Sequence, residues 1–264
     1  MKERIITGVV LVVVVFSFLL YASEYLFGVG VFLVALLSAH EWLRLAKVDQ
    51  DAMVKYLIVF VVAAFVVAEF FTYLQYIFPI FWLYAIFRLS QYEREKINAI
   101  SSTEMLVLGL FTIAPFAACL YILHSNNVAW IFMFILVVAA ADSGAYFTGK
   151  AIGKRKMLPR LSPNKTIEGL LGGMACAVVV AVIFLLYMGL TPLEYLYMVL
   201  ISALIAVLSV VGDVFESMMK RIAGVKDSGN ILPGHGGLLD RLDGYMPTLP
   251  VFVLLGYLAG VFVL

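Results

Sequence analysis

The chain has 264 residues, with 18 Lys and Arg against 17 Asp and Glu and a net charge of +1. Hydrophobic residues make up 64% of it and charged residues 13%, with a mean hydropathy of +1.06, whereas a soluble globular chain is about a quarter charged. Those figures exclude an ordinary soluble globule, because the apolar excess needs a non-aqueous solvent and lipid supplies one.

Stretches long enough to cross a bilayer need roughly 20 apolar residues. Taken in chain order, they predict an all-α, polytopic integral membrane protein with spans near 5–23, 25–43, 53–69, 72–88, 104–125, 128–149, 168–190, 194–218 and 243–264. The first run has the length of a signal peptide, but no small-residue cleavage site followed by a soluble domain succeeds it, so it is read as the first helix. Glu69 divides the region 53–87, which is read as two helices with a tight turn near 69–73. Cys119 and Cys176 both fall inside apolar runs and read as small buried hydrophobes.

Charge tests this partition. With Lys2 and Arg4 in the cytoplasm, the inner connections are 41–55, 88–104, 149–168 and 213–243, and all 18 basic residues fall on the inner side. The outer side receives only Glu24, Glu69 and Glu194. That segregation obeys the positive-inside rule and predicts a cytoplasmic N-terminus and an external C-terminus. Connections 41–55 and 88–104 carry mixed charge and read as a solvated or headgroup-contacting collar. The segments 142–168 and 213–243 hold 10 of the 18 basic residues among many glycines, and these are the places to look for chemistry.

In the first segment, Asp142 follows a long apolar run. Either the helix continues to Gly149, which buries an ionisable group beside a cavity, partner or metal, or it ends at Ala141 and Asp142 is solvated. Gly149-x3-Gly153-Lys154 lacks the spacing and the Ser or Thr of a Walker A phosphate loop. Ser162-Pro163-Asn164-Lys165-Thr166 is more pointed: Pro163 restricts Ser162 to an extended conformation. Thr166 or Asn164 can cap the helix that begins at Glu168, and Lys165 beside a helix N-terminus favours an anion. Gly169 and Gly173 stand at a spacing suited to close helix packing, within the chain or between subunits.

In the second segment, Asp213, Ser217 and Lys220 share one helix face if the eighth helix continues past Gly212. A polar turn, 226–230, leads to a glycine-rich stretch and then to Asp240-Arg241-Leu242-Asp243. This composition suits phosphoryl-type transfer. A hard cation such as Mg²⁺ takes one or two carboxylates plus substrate phosphates, and Asp213, Asp240 and Asp243 come from the ends of two helices. Lys220, Arg221, Lys226 and Arg241 can neutralise a triphosphate, while Gly236 and Gly237 let backbone N–H groups approach phosphate. His235 lies among those glycines; as a lone histidine it could bond its own loop or contact substrate, and an oxygen-ligand metal site does not suit it.

The pattern Ser217-x2-Lys220-Arg221-x4-Lys226-Asp227-x-Gly229-x2-Leu232-Pro233-x-His235-Gly236-Gly237-Leu238-x-Asp240-Arg241-Leu242-Asp243 resembles the signature of phosphatidate cytidylyltransferases, also called CDP-diacylglycerol synthases, and Ser162–Gly169 is similar to a second motif of that family. The resemblance implies CTP and phosphatidic acid as substrates, CDP-diacylglycerol and pyrophosphate as products, and a required Mg²⁺ with room for a second cation. It also implies a multi-pass homodimer of the cell inner membrane, working on its cytoplasmic side in phospholipid biosynthesis, with no nucleic-acid partner. Under it, Asp213, Asp240 and Asp243 become metal ligands, Ser217 a metal or phosphate ligand, and Asp142 an outside candidate for the second cation. Lys220, Arg221, Lys226 and Arg241 hold phosphates, as do Ser162, Asn164 and Lys165 from the other segment. The competing classes are a CTP-dependent kinase of an isoprenoid alcohol and a transporter; the absence of an internal repeat and the gathering of polar residues at one surface speak against the latter.

Overall fold

A computed structural model describes residues 2–95, 100–232, 234 and 236–262. Its helices are α1 (Lys2–Tyr21), α2 (Glu24–Leu45), α3 (Gln50–Glu69), α4 (Phe71–Leu74), α5 (Ile77–Glu95), α6 (Ser102–Asn126), α7 (Val128–Ile152), α8 (Ile167–Leu185), α9 (Pro192–Ala223), α10 (Leu239–Leu242) and α11 (Tyr245–Leu258). By length and composition, α2, α3, α6, α7, α8 and α9 are long and apolar enough to cross a membrane. Their outward faces carry large apolar side chains, such as Val54, Ile58, Phe65, Val179, Ile183 and Leu200. A water-soluble monomer rarely shows so continuous an apolar surface.

The chain is not wholly helical. Lys156–Leu158 (β1) and Ser162–Thr166 (β2) form an antiparallel hairpin, with Lys156 opposite Thr166 and Leu158 opposite Ser162. The all-α expectation holds for the bundle, and this hairpin is an addition to it: Pro163 holds its predecessor extended, and the motif spends its first five residues as a strand before the helix starts. Thr166 then caps α8, its hydroxyl accepting from the Gly169 N–H at 3.1 Å. The expected span 72–88 falls across two helices. The turn after α3 takes in α4, with Gln75 Nε2 donating to the Thr72 carbonyl at 2.9 Å, and α5 starts only at Ile77. The last helix starts at Tyr245, so Asp243 lies in the short connection from α10 rather than inside a span.

Small residues set the tightest contact. Gly169, Gly173, Ala177 and Ala181 are buried at every fourth position of α8, which places them on one face. That face lies against α7, where a side chain at Gly173 would sit 2.6 Å from the Ala141 carbonyl and one at Gly144 2.6 Å from Cys176 Sγ. The glycine spacing therefore serves contact within the chain. α11 runs through the middle of the bundle, with Met246 to Leu254 all buried, as expected of a helix apolar on every side.

The ends of these helices collect at one pole. Trp42 Nε1 near the end of α2 donates to the Met105 carbonyl at the start of α6 at 2.7 Å. The Arg160 N–H at the hairpin turn donates to Glu93 Oε1 at the end of α5 at 2.9 Å. Lys165 of β2 reaches Asp213 of α9. At the opposite pole Glu24 accepts from Tyr121 and Ser125 near the end of α6.

Candidate active site

α9 is the spine of the polar pole. It passes Gly212 without interruption and ends at Gly224, whose φ of 82° is the left-handed stop that glycine permits. Continuity past Gly212 puts Asp213, Glu216, Ser217 and Lys220 on successive turns. Gly212 itself has no room for a side chain, because one there would meet the Asp243 carbonyl and Pro247 Cγ, the latter at 2.6 Å. The glycine thus brings the connection into α11 against α9.

Three ion pairs among the described residues organise the cluster. Lys165 Nζ lies 2.5 Å from Asp213 Oδ2, joining the two polar segments. Lys220 Nζ lies 2.5 Å from Asp240 Oδ1 and 3.2 Å from Glu216 Oε1. Asp240 is heavily engaged: its Oδ2 accepts from the Ser228 N–H at 2.9 Å, the Ser228 hydroxyl at 2.9 Å and the Gly237 N–H at 2.8 Å. Burial acts to raise its carboxyl, but the Lys220 ammonium and these backbone donors outweigh that and leave it below the ordinary carboxylate range. Asp243 behaves oppositely. Burial first, then the negative charge of Asp213, push it up to about 7. Asp142 accepts from the Ser209 hydroxyl at 3.0 Å, and the charges of Lys165 and Asp213 act on it. α7 continues through Asp142 to Ile152, so the reading in which the helix ends at Ala141 is set aside.

Asp142, Lys165, Asp213, Lys220, Asp240 and Asp243 are thus neighbours by direct bond or by charge. Ser217 is half-buried one turn beyond Asp213, and Ser162 is half-buried in the hairpin. Asn164, Arg221, Lys226 and Arg241 are exposed. Gly236 adopts a φ of 85°, and a side chain there would come 2.8 Å from Asp240 Oδ2. Gly237 is filled on one side by Ser228 and by Glu41 Oε2 at 2.6 Å. These two glycines admit acidic side chains to the backbone, and the Gly237 N–H is engaged with Asp240. His235 and Pro233, both part of the motif, lie outside the described residues.

The donors present fit a divalent cation, although among the described residues no three His, Cys, Asp or Glu groups form a preassembled cage. The fit rests on oxygen chemistry: the negative charge of Asp213 acts on Asp243, and among the described residues Lys165 is the ion-pair partner of Asp213. A hard cation completed by waters and substrate phosphates needs no more than one or two such carboxylates.

Four further acids support the site. Glu41, assigned above to a solvated collar, is buried and bonded to Ser228, Leu238 and Leu239. Glu93 of the other collar holds the hairpin tip through the Arg160 and Leu161 N–H groups. Glu168 holds the hairpin root, accepting from the Lys154 and Arg155 N–H groups and from Arg155 Nε at 2.9 Å. Glu216 is buried under Lys220. Glu168 lies within the Ser162–Gly169 motif and Glu216 one turn from Lys220, whereas Glu41 and Glu93 become visible only once distant helix ends are brought together.

A family model described as "Cytidylyltransferase family" matches residues 2–259 of the chain. The chain is 35% identical over 263 residues to the phosphatidate cytidylyltransferase of Bacillus subtilis (strain 168), with 95% of each chain covered. It is 35% identical over 268 residues to that of Pseudomonas aeruginosa, with 98% of each covered. To that of Haemophilus influenzae it is 30% identical over 281 residues, covering 96% of this chain and 97% of the relative.

Proposed function

Because the chain belongs to the cytidylyltransferase family, we propose that it transfers the cytidylyl group of CTP to phosphatidic acid at a membrane surface, forming CDP-diacylglycerol and releasing pyrophosphate as a step of phospholipid biosynthesis. The observation that carries this reading is the meeting of the two polar segments, through Lys165 and Asp213, at one pole of an apolar helix bundle. The relatives carry the name of the same reaction.

The chemistry follows from charge. A phosphate oxygen of phosphatidic acid is already anionic near neutral pH and needs no strong base. It forms a bond to the α-phosphorus of CTP while the bond from that phosphorus to the bridging oxygen breaks, and pyrophosphate leaves with the electron pair. The barrier is the approach of two polyanions, so neutralisation and alignment matter most. Lys220 stands on the site side of α9, and Lys165 stands opposite on the hairpin. Arg221, Lys226 and Arg241 are exposed and placed for the outer phosphates. Asp213, Asp243 and Asp240 would hold the Mg²⁺, with the Ser217 hydroxyl and Asp142 beside them. When bound, that ion supplies positive charge to the phosphate oxygens.

The topology that suits this reading has nine spans, with the N-terminus and the polar pole in the cytoplasm and the C-terminus outside. It keeps all 18 basic residues on the side where the soluble nucleotide is found, and the acyl chains of the lipid stay in hydrocarbon beside the helices.

The test is purified protein with CTP labelled at the α-phosphate, phosphatidic acid in mixed micelles, and Mg²⁺ present or chelated. The expected outcome is label in CDP-diacylglycerol with equimolar pyrophosphate, abolished by chelation. Release of CDP with a phosphorylated lipid would instead identify a kinase and overturn the proposal.

A further inference from the structure

Glu41 is only 1% exposed and lies at the inner end of α2, nearly 190 residues before the segment it touches. That segment, 228–239, is a second hairpin, distinct from β1–β2, in which Leu232 bridges Gly236. Its Oε1 accepts from the Leu238 N–H at 3.0 Å. Its Oε2 accepts from the Leu239 N–H at 2.9 Å and from the Ser228 hydroxyl at 3.1 Å. Among the described residues it enters no ion pair. A carboxylate withdrawn from water is tolerated only with strong donors, and among the described residues the donors to Glu41 are Ser228, Leu238 and Leu239. Room for it is made by that same segment: a side chain at Gly229 would collide with Glu41 Oε1, and one at Gly237 would meet Glu41 Oε2 at 2.6 Å.

The end of α2 that carries Glu41 is rigidly held. The neighbouring Trp42 is 1% exposed, donates to the Met105 carbonyl and stacks on Phe215 of α9 with ring centroids 6.2 Å apart. On the other side of the contact, Ser228 also donates to Asp240, whose carboxylate is bonded to Lys220. A hydroxyl has one proton to donate, so Glu41 and Asp240 share it. The order of contacts is therefore scaffold, Glu41, hairpin, Asp240, Lys220.

We propose that Glu41 is a positioning residue for the transfer reaction: it anchors the 228–239 hairpin to the helix bundle so that Asp240 and Lys220 keep their geometry at the site. The proposal rests on the functional reading above only for its consequence in turnover; the anchoring stands on the contacts themselves. Outer partners of this kind hold metal- and phosphate-binding groups in place, and their loss costs about 10–100-fold in affinity or activity.

Glu41→Gln in the full-length, detergent-solubilised protein tests it. The carboxamide keeps the volume but loses one acceptor and turns an N–H₂ group towards N–H and O–H donors. Backbone amides of residues 228 and 237–239 should exchange with deuterium about tenfold faster or more, while those in the middle of α6 and α9 stay unchanged. In the assay, the KM for CTP and the Mg²⁺ concentration for half-maximal rate should rise about tenfold or more, with a smaller change in kcat. Gly229→Ala, which leaves the carboxylate in place but fills its space, should show the same pattern and carries the test if Glu41→Gln does not fold. Unchanged exchange in the hairpin, or loss of activity confined to kcat with KM unmoved, would overturn the proposal. If the unsubstituted protein makes no CDP-diacylglycerol, the functional reading falls, and the exchange comparison still decides whether Glu41 anchors the hairpin.

Discussion

Lys220 serves two acids at once, Glu216 and Asp240, in a setting where its side chain is 12% exposed. Removing one partner of a buried ion pair leaves uncompensated charge, at a cost of about 3–5 kcal/mol. Lys220→Ala should therefore lower the melting temperature in detergent and abolish transfer together. Adding Asp240→Asn should recover part of the lost stability, measured by thermal unfolding, and none of the turnover. Equal melting temperatures for Lys220→Ala and the unsubstituted protein would show that the pair is not under tension. At this scale, the sequence disclosed the residues whose role depends on neighbours within a turn or two, such as Asp213, Ser217 and Lys220 on one helix face. Glu41 was illegible, because its partners lie far along the chain and its immediate neighbours, with Arg44 one turn on, read as an ordinary polar helix end.

The element that departs most from expectation is the hairpin. A strand of five residues rather than a bare helix start fits Pro163, whose effect on Ser162 was readable, but the partner strand at 156–158 was not, since three residues carry no periodicity. The α7–α8 contact was readable in kind from the glycines at 169 and 173, and the structure adds that their partner is α7 of the same chain. Gly173→Ala should destabilise the protein by about 1–3 kcal/mol through overpacking, because the new methyl would sit 2.6 Å from the Ala141 backbone carbonyl. Gly28→Ala is the control: its methyl would meet only Tyr121, at an ordinary 3.5 Å, so thermal unfolding should show little change. A loss at Gly28 as large as at Gly173 would mean that helix contact is not what fixes these glycines.

For the whole molecule, hydropathy and charge marked out the apolar bundle, while the pole where helix ends converge needed coordinates. The proposed orientation is open to direct measurement. In a background lacking Cys119 and Cys176, single cysteines at Asp49 and Asn230 should react with a membrane-impermeant maleimide only after right-side-out vesicles are opened, whereas one at Gly189 should react in sealed vesicles. Labelling of 189 and 230 from the same side would reject it. The hairpin bears on how such a molecule would admit a soluble nucleotide to a lipid. It is fastened at its tip by Glu93, at its root by Glu168, and across to α9 by Lys165. A hairpin tied at both tip and root is held against the bundle, and on the proposed function substrates would reach the site past its edge. On that function the Lys165–Asp213 pair, with Asp213 42% open to water, would be the point of exchange: its ammonium would trade a carboxylate for an arriving phosphate without the backbone having to move.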